Sequence, residues 1–391
     1  MHKGMSHSVR PFLFSLSIVL AGLNLRPILA SVSPLMDVIQ ENTGLNDSLA
    51  SLLTTVPVVL MGVCLLGATR LRRVLTDRND ILVGLILIFL ASIARAFAPG
   101  SAQLLITAIA GGIGIAIVQA LMPIVIRTQP RQRSASLMGI YSTAIMGGAL
   151  VASSAAPWIS DLCSWQIALS VWAIPAIIAI ILWVRLGEGV GSVSSRPLGN
   201  PYKSLRAWAL LVFFGLATGA YTLVLAWLPP FYTQLGWSAK AAGAILGLLT
   251  AAEVVAGIAV SLLVSKIKDR RWMLLTALAS LLAGLICLCL APVALAWPAA
   301  ILTGFGIGAL FPLSLITALD HGTKDEIAGA IVNFVQGGGY VLAASLPFAA
   351  GIIRQSLADL TPAWWLMAAL CLVLTVLASR FRPTDRINLD R

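Results

Sequence analysis

The only histidines of the 391 residues are His2, His7 and His321, which leaves no cluster able to bind a metal or complete a nucleophilic triad. The five cysteines (Cys64, Cys163, Cys287, Cys289 and Cys371) lack the paired spacing of zinc sites and disulfide frameworks. Cys287 and Cys289 are two apart on one predicted helix, hence on different faces, as suits small buried hydrophobes. The pattern is not that of an enzyme, and no cofactor or metal is expected. What remains is charge in apolar surroundings. Arg26, in Gly22-Leu-Asn-Leu-Arg-Pro27, sits well inside the first long apolar run, and Glu253 lies near the middle of another. A cation at mid-bilayer costs ~3 kcal/mol on insertion scales, so such residues face a protein interior or a wet cavity and mark function by default.

Arg26 has two readings: a structural charge satisfied by carbonyls and a partner side chain, or the anchor for an anionic or strongly dipolar substrate. The anchor is preferred, because a guanidinium holds a small anion through fixed, forked donors without changing protonation. Pro27 removes a backbone donor and clashes with the carbonyl of Leu23, which predicts a kink beside the charge. Broken turns of this kind line binding cavities. Asn24 occupies another face of an ideal helix and joins the site if Pro27 distorts the turn. For Glu253 three roles are open: neutralising Arg26, carrying a coupling proton, or bonding a neighbouring helix. Thr250 and Gly257 share its face, a small polar stripe that should look inward. Gln119, Tyr141, Tyr221, Trp227, Asn333 and Gln336 are further polar or amphipathic side chains in apolar runs, suited to helix contacts or to a ligand. Of these, Tyr221 and Gln336 beside Gly337-Gly338-Gly339 are the preferred ligand contacts. Arg72 and Arg73, after the second run, and Asp320-His321, ending the tenth, are candidate gating residues.

The elements that must position these groups follow from composition. With 59% hydrophobic and 10% charged residues, against about a quarter charged in soluble proteins, the chain reads as an all-α membrane protein. The net charge of +11 does not mark a nucleic-acid binder, since the basic residues are confined to short segments between apolar runs. Runs of about 20 apolar residues give twelve transmembrane helices, near 11–36, 47–68, 79–98, 102–126, 135–158, 165–185, 206–232, 239–265, 272–291, 295–319, 327–350 and 362–380. The first run is too long for a cleaved signal core. Of the 26 lysines and arginines, 22 fall on the side that carries both termini, while only Arg95, Lys240 and Arg354 fall opposite and Arg26 is the one left well inside a span. By the positive-inside rule both termini are cytoplasmic.

The polar segment 187–205 divides the chain into two six-helix bundles, 1–186 and 206–391. Gly139, Gly147, Gly148 and Pro157 recur 190 residues later as Gly329, Gly337, Gly338 and Pro347. At an offset of 192, Gly44 and the N-cap candidate Asn46 match Gly236 and Ser238. Gly112-Ile-Gly114 and Gly304-Phe-Gly306-Ile-Gly308 suit close helix packing rather than phosphate binding. Parallel six-span repeats are the layout of the major facilitator fold, with substrate near the midplane between the halves.

Gly22-Leu-Asn-Leu-Arg-Pro27 with Ser33-Pro34, Gly112 to Gln119 leading to Met122-Pro123, Ala226-Trp-Leu-Pro229 and Ala318-Leu-Asp-His321 together resemble the bacterial cyanate permease family of the major facilitator superfamily. The resemblance implies a monomeric, multi-pass porter of the bacterial inner membrane that carries cyanate or a related small anion by alternating access. That family also includes a 2-nitroimidazole exporter, which makes export of a small nitroaromatic the alternative function. A non-transporting receptor on the same fold is the alternative of a different class. The loop after the second span keeps the superfamily's basic residues (Arg70, Arg72, Arg73) without its acid. Gly147-Gly148 is followed by Ala-Leu, unlike the pattern of many drug antiporters.

Overall fold

The computed structural model describes residues 9–67, 77–98, 100–127, 129, 131–185, 200–264, 266–267, 269–382 and 384–387. Among them twelve helices are long and apolar enough to cross a membrane, as expected. In order they are Phe12–Thr43, Asp47–Leu66, Asn79–Phe97, Ser101–Pro123, Ser136–Leu162, Trp165–Arg185, Leu205–Gln234, Ala239–Leu263, Arg270–Leu290, Ala296–Asp320, Ile327–Leu357 and Thr361–Ser379, here called the first to twelfth spans.

The first span is broken where its sequence demands it. Helix runs from Val9 to Leu23, stops, and restarts as a single turn at Pro27–Ala30, with Arg26 as the residue that precedes the new helix. Proline at position 27 cannot donate to the carbonyl of Leu23. The Asn24 side chain competes for the end of the first segment, its Nδ2 donating to the carbonyl of Leu20 at 2.7 Å. A second interruption follows at Ser33–Leu35, a short 3-10 turn containing Pro34, before helix resumes at Met36–Thr43. Irregular backbone at membrane depth persists only when packed in protein or lining a cavity, and residues 24–35 are all buried.

Small residues let other helices close on this break. A Cβ on Gly148 of the fifth span would collide with the Leu23 carbonyl, and one on Gly22 would crowd Tyr141 and Ala144 of the same span. The repeat is visible in the packing. Gly112 lies against Pro57 and Gly304 against Leu249, with both members of each pair shifted by 192 residues. Gly44 and Gly236 both take left-handed φ, 69° and 87°, which glycine adopts without steric cost. Asn46 and Ser238 then cap the helices that follow, accepting from the N–H of Leu49 and of Ala241 at 2.8 and 3.3 Å.

At the end of the bundle away from the termini, ion pairs join the first six spans to the last six. Arg354 Nη2 lies 2.9 Å from Asp37 and Nη1 lies 3.4 Å from Asp47. Thr233 also bonds Asp37, and Lys240 pairs with Asp161 at 2.7 Å. Ser33 donates to the carbonyl of Ala226 at 2.9 Å, deeper in the same junction.

Candidate functional site

Six spans bring one side chain each to a common point. The break in the first supplies Arg26, the fourth Gln119, the fifth Tyr141, the seventh Tyr221, the eighth Glu253 and the eleventh Tyr340. Arg26 is buried, 3% exposed, and its guanidinium carbon stands 5.2 Å from the centre of the Tyr221 ring, a cation–π arrangement. The ionisable side chains around it are Tyr221, Tyr340, Tyr141 and Glu253. Gln119 Nε2 donates to the Tyr340 hydroxyl at 2.8 Å, and Tyr340 in turn lies against the guanidinium.

Most polar atoms of this group are nevertheless idle. Arg26 Nε, the hydroxyls of Tyr141 and Tyr221, Gln119 Oε1, Asn24 Oδ1 and both carboxylate oxygens of Glu253 are buried without a hydrogen-bond partner. Buried polar atoms are paired in the great majority of cases, so several unpaired ones around a single charge are a strong departure. They offer donors and acceptors to something that enters. Glu253 is pressed close by the tenth span, where a Cβ on Gly308 would overlap its backbone, and it faces the guanidinium without bonding to it.

A sequence profile described as the Major Facilitator Superfamily matches residues 13–344. The chain belongs to the major facilitator superfamily. Within the superfamily it is 37% identical over 373 residues to the cyanate transport protein CynX of Escherichia coli K12, covering 94% of this chain and 97% of that one. It is 30% identical over 350 residues to the 2-nitroimidazole transporter of the same organism, with 87% of each chain covered. Solved major facilitator structures share the fold at low identity. A D-xylose–proton symporter has TM-score 0.76 at 15% identity, covering 96% of this chain and 100% of that one. The inward-open xylose transporter XylE of Escherichia coli has TM-score 0.76 at 13%, covering 95% and 96%. The protein is thus a multi-pass membrane transporter of major facilitator type.

Other residues singled out from the sequence lie elsewhere in this major facilitator bundle. Trp227 does not join the Arg26 group: its N–H is spent on the carbonyl of Pro347 at 2.8 Å, and Arg354 rests on its ring at 5.4 Å. The reason is depth, since Trp227 follows Tyr221 by more than one helical turn toward the end closed by Arg354. Asn333 and Gln336 are half-buried on the eleventh span, seven and four residues before Tyr340 and therefore on its face. Asp320 and His321 fasten the C-terminal tail. Asp320 pairs with Arg270 at 3.0 Å, the His321 carbonyl accepts from the N–H of Ile387 at 2.8 Å, and Arg386 bonds the Asp320 carbonyl. All of these partners come from the last six spans and the tail. Arg72 and Arg73 lie outside the described residues.

Two residues escaped the sequence reading. Tyr340, four residues after Gln336, could have been found by continuing that helical stripe. Arg95, which the charge count places on the side opposite the termini, is fully buried in the last turn of the third span, so Arg26 is not alone in the interior. Its side chain reaches the Ile28 carbonyl of the first span, which local sequence does not reveal.

Proposed function

We propose that this protein is a secondary active transporter that carries cyanate, or a small anion of the same chemistry, across the bacterial inner membrane by alternating access. Arg26 is the binding charge. The observation that carries the reading is the guanidinium buried at a broken turn and surrounded by unpaired donors from both halves of the chain. Cyanate is small, linear and singly charged, with acceptor atoms at both ends. One end can take the Arg26 Nε–H while the other takes a Tyr141 or Tyr221 hydroxyl, and the tyrosine rings exclude water from the apolar middle. The 37% identity to a cyanate transport protein over nearly the whole of both chains supports the same substrate.

Glu253 serves as the proton carrier in this reading. An anion that binds beside an ionised carboxylate is repelled by it, so protonation of Glu253 favours loading and release of the proton favours unloading. The result is symport. Residues 1–186 and 206–391 are the two bodies that rock about the site, joined by the segment 187–205. With both termini cytoplasmic, the Arg354–Asp37–Asp47 cluster closes the periplasmic end. The transporter acts as a monomer, since each chain holds a complete site.

The second reading is export of 2-nitroimidazole, supported by the 30% identical relative and by aromatic rings about the site, among them Phe214 5.5 Å from Tyr340. Thermal shift of the purified protein separates the two, because a ligand that binds only the folded state raises its apparent stability. Stabilisation by cyanate that disappears in Arg26→Ala supports the anion porter. Stabilisation by 2-nitroimidazole alone, surviving in Arg26→Ala, supports the exporter and makes Arg26 structural.

A further inference from the structure

Arg95 is the second cation inside the bundle and is fully buried. Among the described residues it pairs with no carboxylate. Its Nη1 donates to the carbonyl of Ile28 at 2.8 Å, its Nε donates to Thr107 Oγ1 at 3.2 Å, and its Nη2 has no partner. The Thr107 hydroxyl proton is committed to the carbonyl of Leu104 at 2.7 Å, so Thr107 presents a lone pair to Arg95 and fixes its direction. Stability alone is a poor account of such a residue, because burying an ion without a counter-ion is costly and apolar replacements are often tolerated better.

The carbonyl that Arg95 holds belongs to the broken turn. In a continuous helix Ile28 would accept from the N–H of Val32, but the chain tightens after Ala30 and Val32 donates to Leu29 instead, at 3.3 Å. That leaves Ile28 without a backbone donor in a region closed to water. Two other bonds of the turn return to the residue before Pro27: the N–H groups of Leu29 and Ala30 both donate to the carbonyl of Arg26, at 3.0 and 2.9 Å, while the N–H of Ser31 donates to Pro27 at 3.0 Å. The backbone of Arg26 is therefore tied to the same turn whose open carbonyl is capped by Arg95.

We infer that Arg95 is a positioning residue for Arg26: by capping the Ile28 carbonyl it fixes the turn that presents the Arg26 guanidinium to the substrate. The inference rests on the reading of Arg26 as the substrate anchor. Without Arg95 the turn gains an unpaired carbonyl, relaxes, and lets the guanidinium swing away from Tyr141 and Tyr221. Loss of a hydrogen bond to a charged group shifts an equilibrium by about tenfold or more.

The test uses full-length protein that elutes as a single species, with Arg95→Met, Arg95→Lys and Thr107→Val compared with wild type. One measurement is the KM and kcat of cyanate uptake into proteoliposomes, and the other is amide hydrogen exchange at Leu29 and Ala30 without substrate. Arg95→Met is expected to raise KM about tenfold with kcat little changed and to speed exchange at both amides. Arg95→Lys, which keeps a charged donor, should restore most of both. An unchanged KM in folded Arg95→Met protein overturns the inference, as does a raised KM with no change in exchange. If Arg95→Met does not fold, Thr107→Val takes its place under the same criteria, with smaller shifts in the same directions. Should wild type itself take up no cyanate, the substrate reading has failed, and exchange alone decides for Arg95: faster in the Met variant and restored by Lys supports it, unchanged overturns it.

Discussion

Arg26 and Arg95 are equally hidden and differ in what their nitrogens meet. Arg26 faces aromatic hydroxyls, an amide and a carboxylate from five other spans, most of them unpaired, and its own Nε is free. Arg95 meets the carbonyl of Ile28 and the hydroxyl of Thr107, both from the first six spans. Burial by itself therefore does not mark a binding charge. In the proposed reading the mark is a charge whose surroundings are unsatisfied and come from both halves of the chain, since such a site changes shape if the halves rock.

The sharpest way to break this comparison is Arg26→Ala. Removing one partner of a buried charged contact costs ~2–5 kcal/mol, so cyanate uptake at low concentration should fall by about a hundredfold. Uptake equal to wild type in proteoliposomes would make the two arginines alike and structural. The roughly tenfold rise in KM for Arg95→Met comes next, and it should add nothing further in an Arg26→Ala background, because the two act through one turn.

Glu253→Gln tests whether the carboxylate opposite Arg26 carries the proton. Wild-type uptake should rise as the outside is made more acid, and the Gln variant, unable to ionise, should show a flat profile. A profile that keeps its slope removes Glu253 from coupling. Arg354 sharpens the comparison as a third arginine, one with carboxylates and only 15% exposed. Arg354→Ala should lower stability by ~1 kcal/mol, in the range of partly exposed pairs, while leaving cyanate affinity nearly unaltered, as read by denaturation and thermal shift. The smallest expected effect is a labelling pattern. Cys163 is exposed at the end opposite the termini, so a membrane-impermeant maleimide added to intact cells should modify it, and absence of labelling would reverse the proposed orientation.

Much of the architecture was legible because a bilayer imposes simple rules. Spans must be apolar for about 20 residues, which gave twelve, and the glycine offsets of 190 and 192 became paired contacts in the bundle, as Gly112–Pro57 and Gly304–Leu249 demonstrate. The break at Pro27 followed from a missing N–H and a steric clash. Tyr141, Tyr221 and Gln119 were named from polarity alone and do gather about Arg26. Trp227 was not separable from them, because height along a kinked helix depends on where neighbouring helices cross it.

The sequence by itself determined the class of molecule, the number of spans, the site of the break and the two charges that a membrane makes expensive. It could do so because hydropathy, proline geometry and the cost of burying an ion are local properties. Tertiary structure decided which polar atoms stay unpaired, that Arg95 reaches the Ile28 carbonyl 67 residues earlier, and that Arg354 joins Asp37 and Asp47 across the halves. Those facts depend on directions in space between segments far apart in the chain, and a long side chain such as arginine can reach several alternatives that only the packed bundle distinguishes.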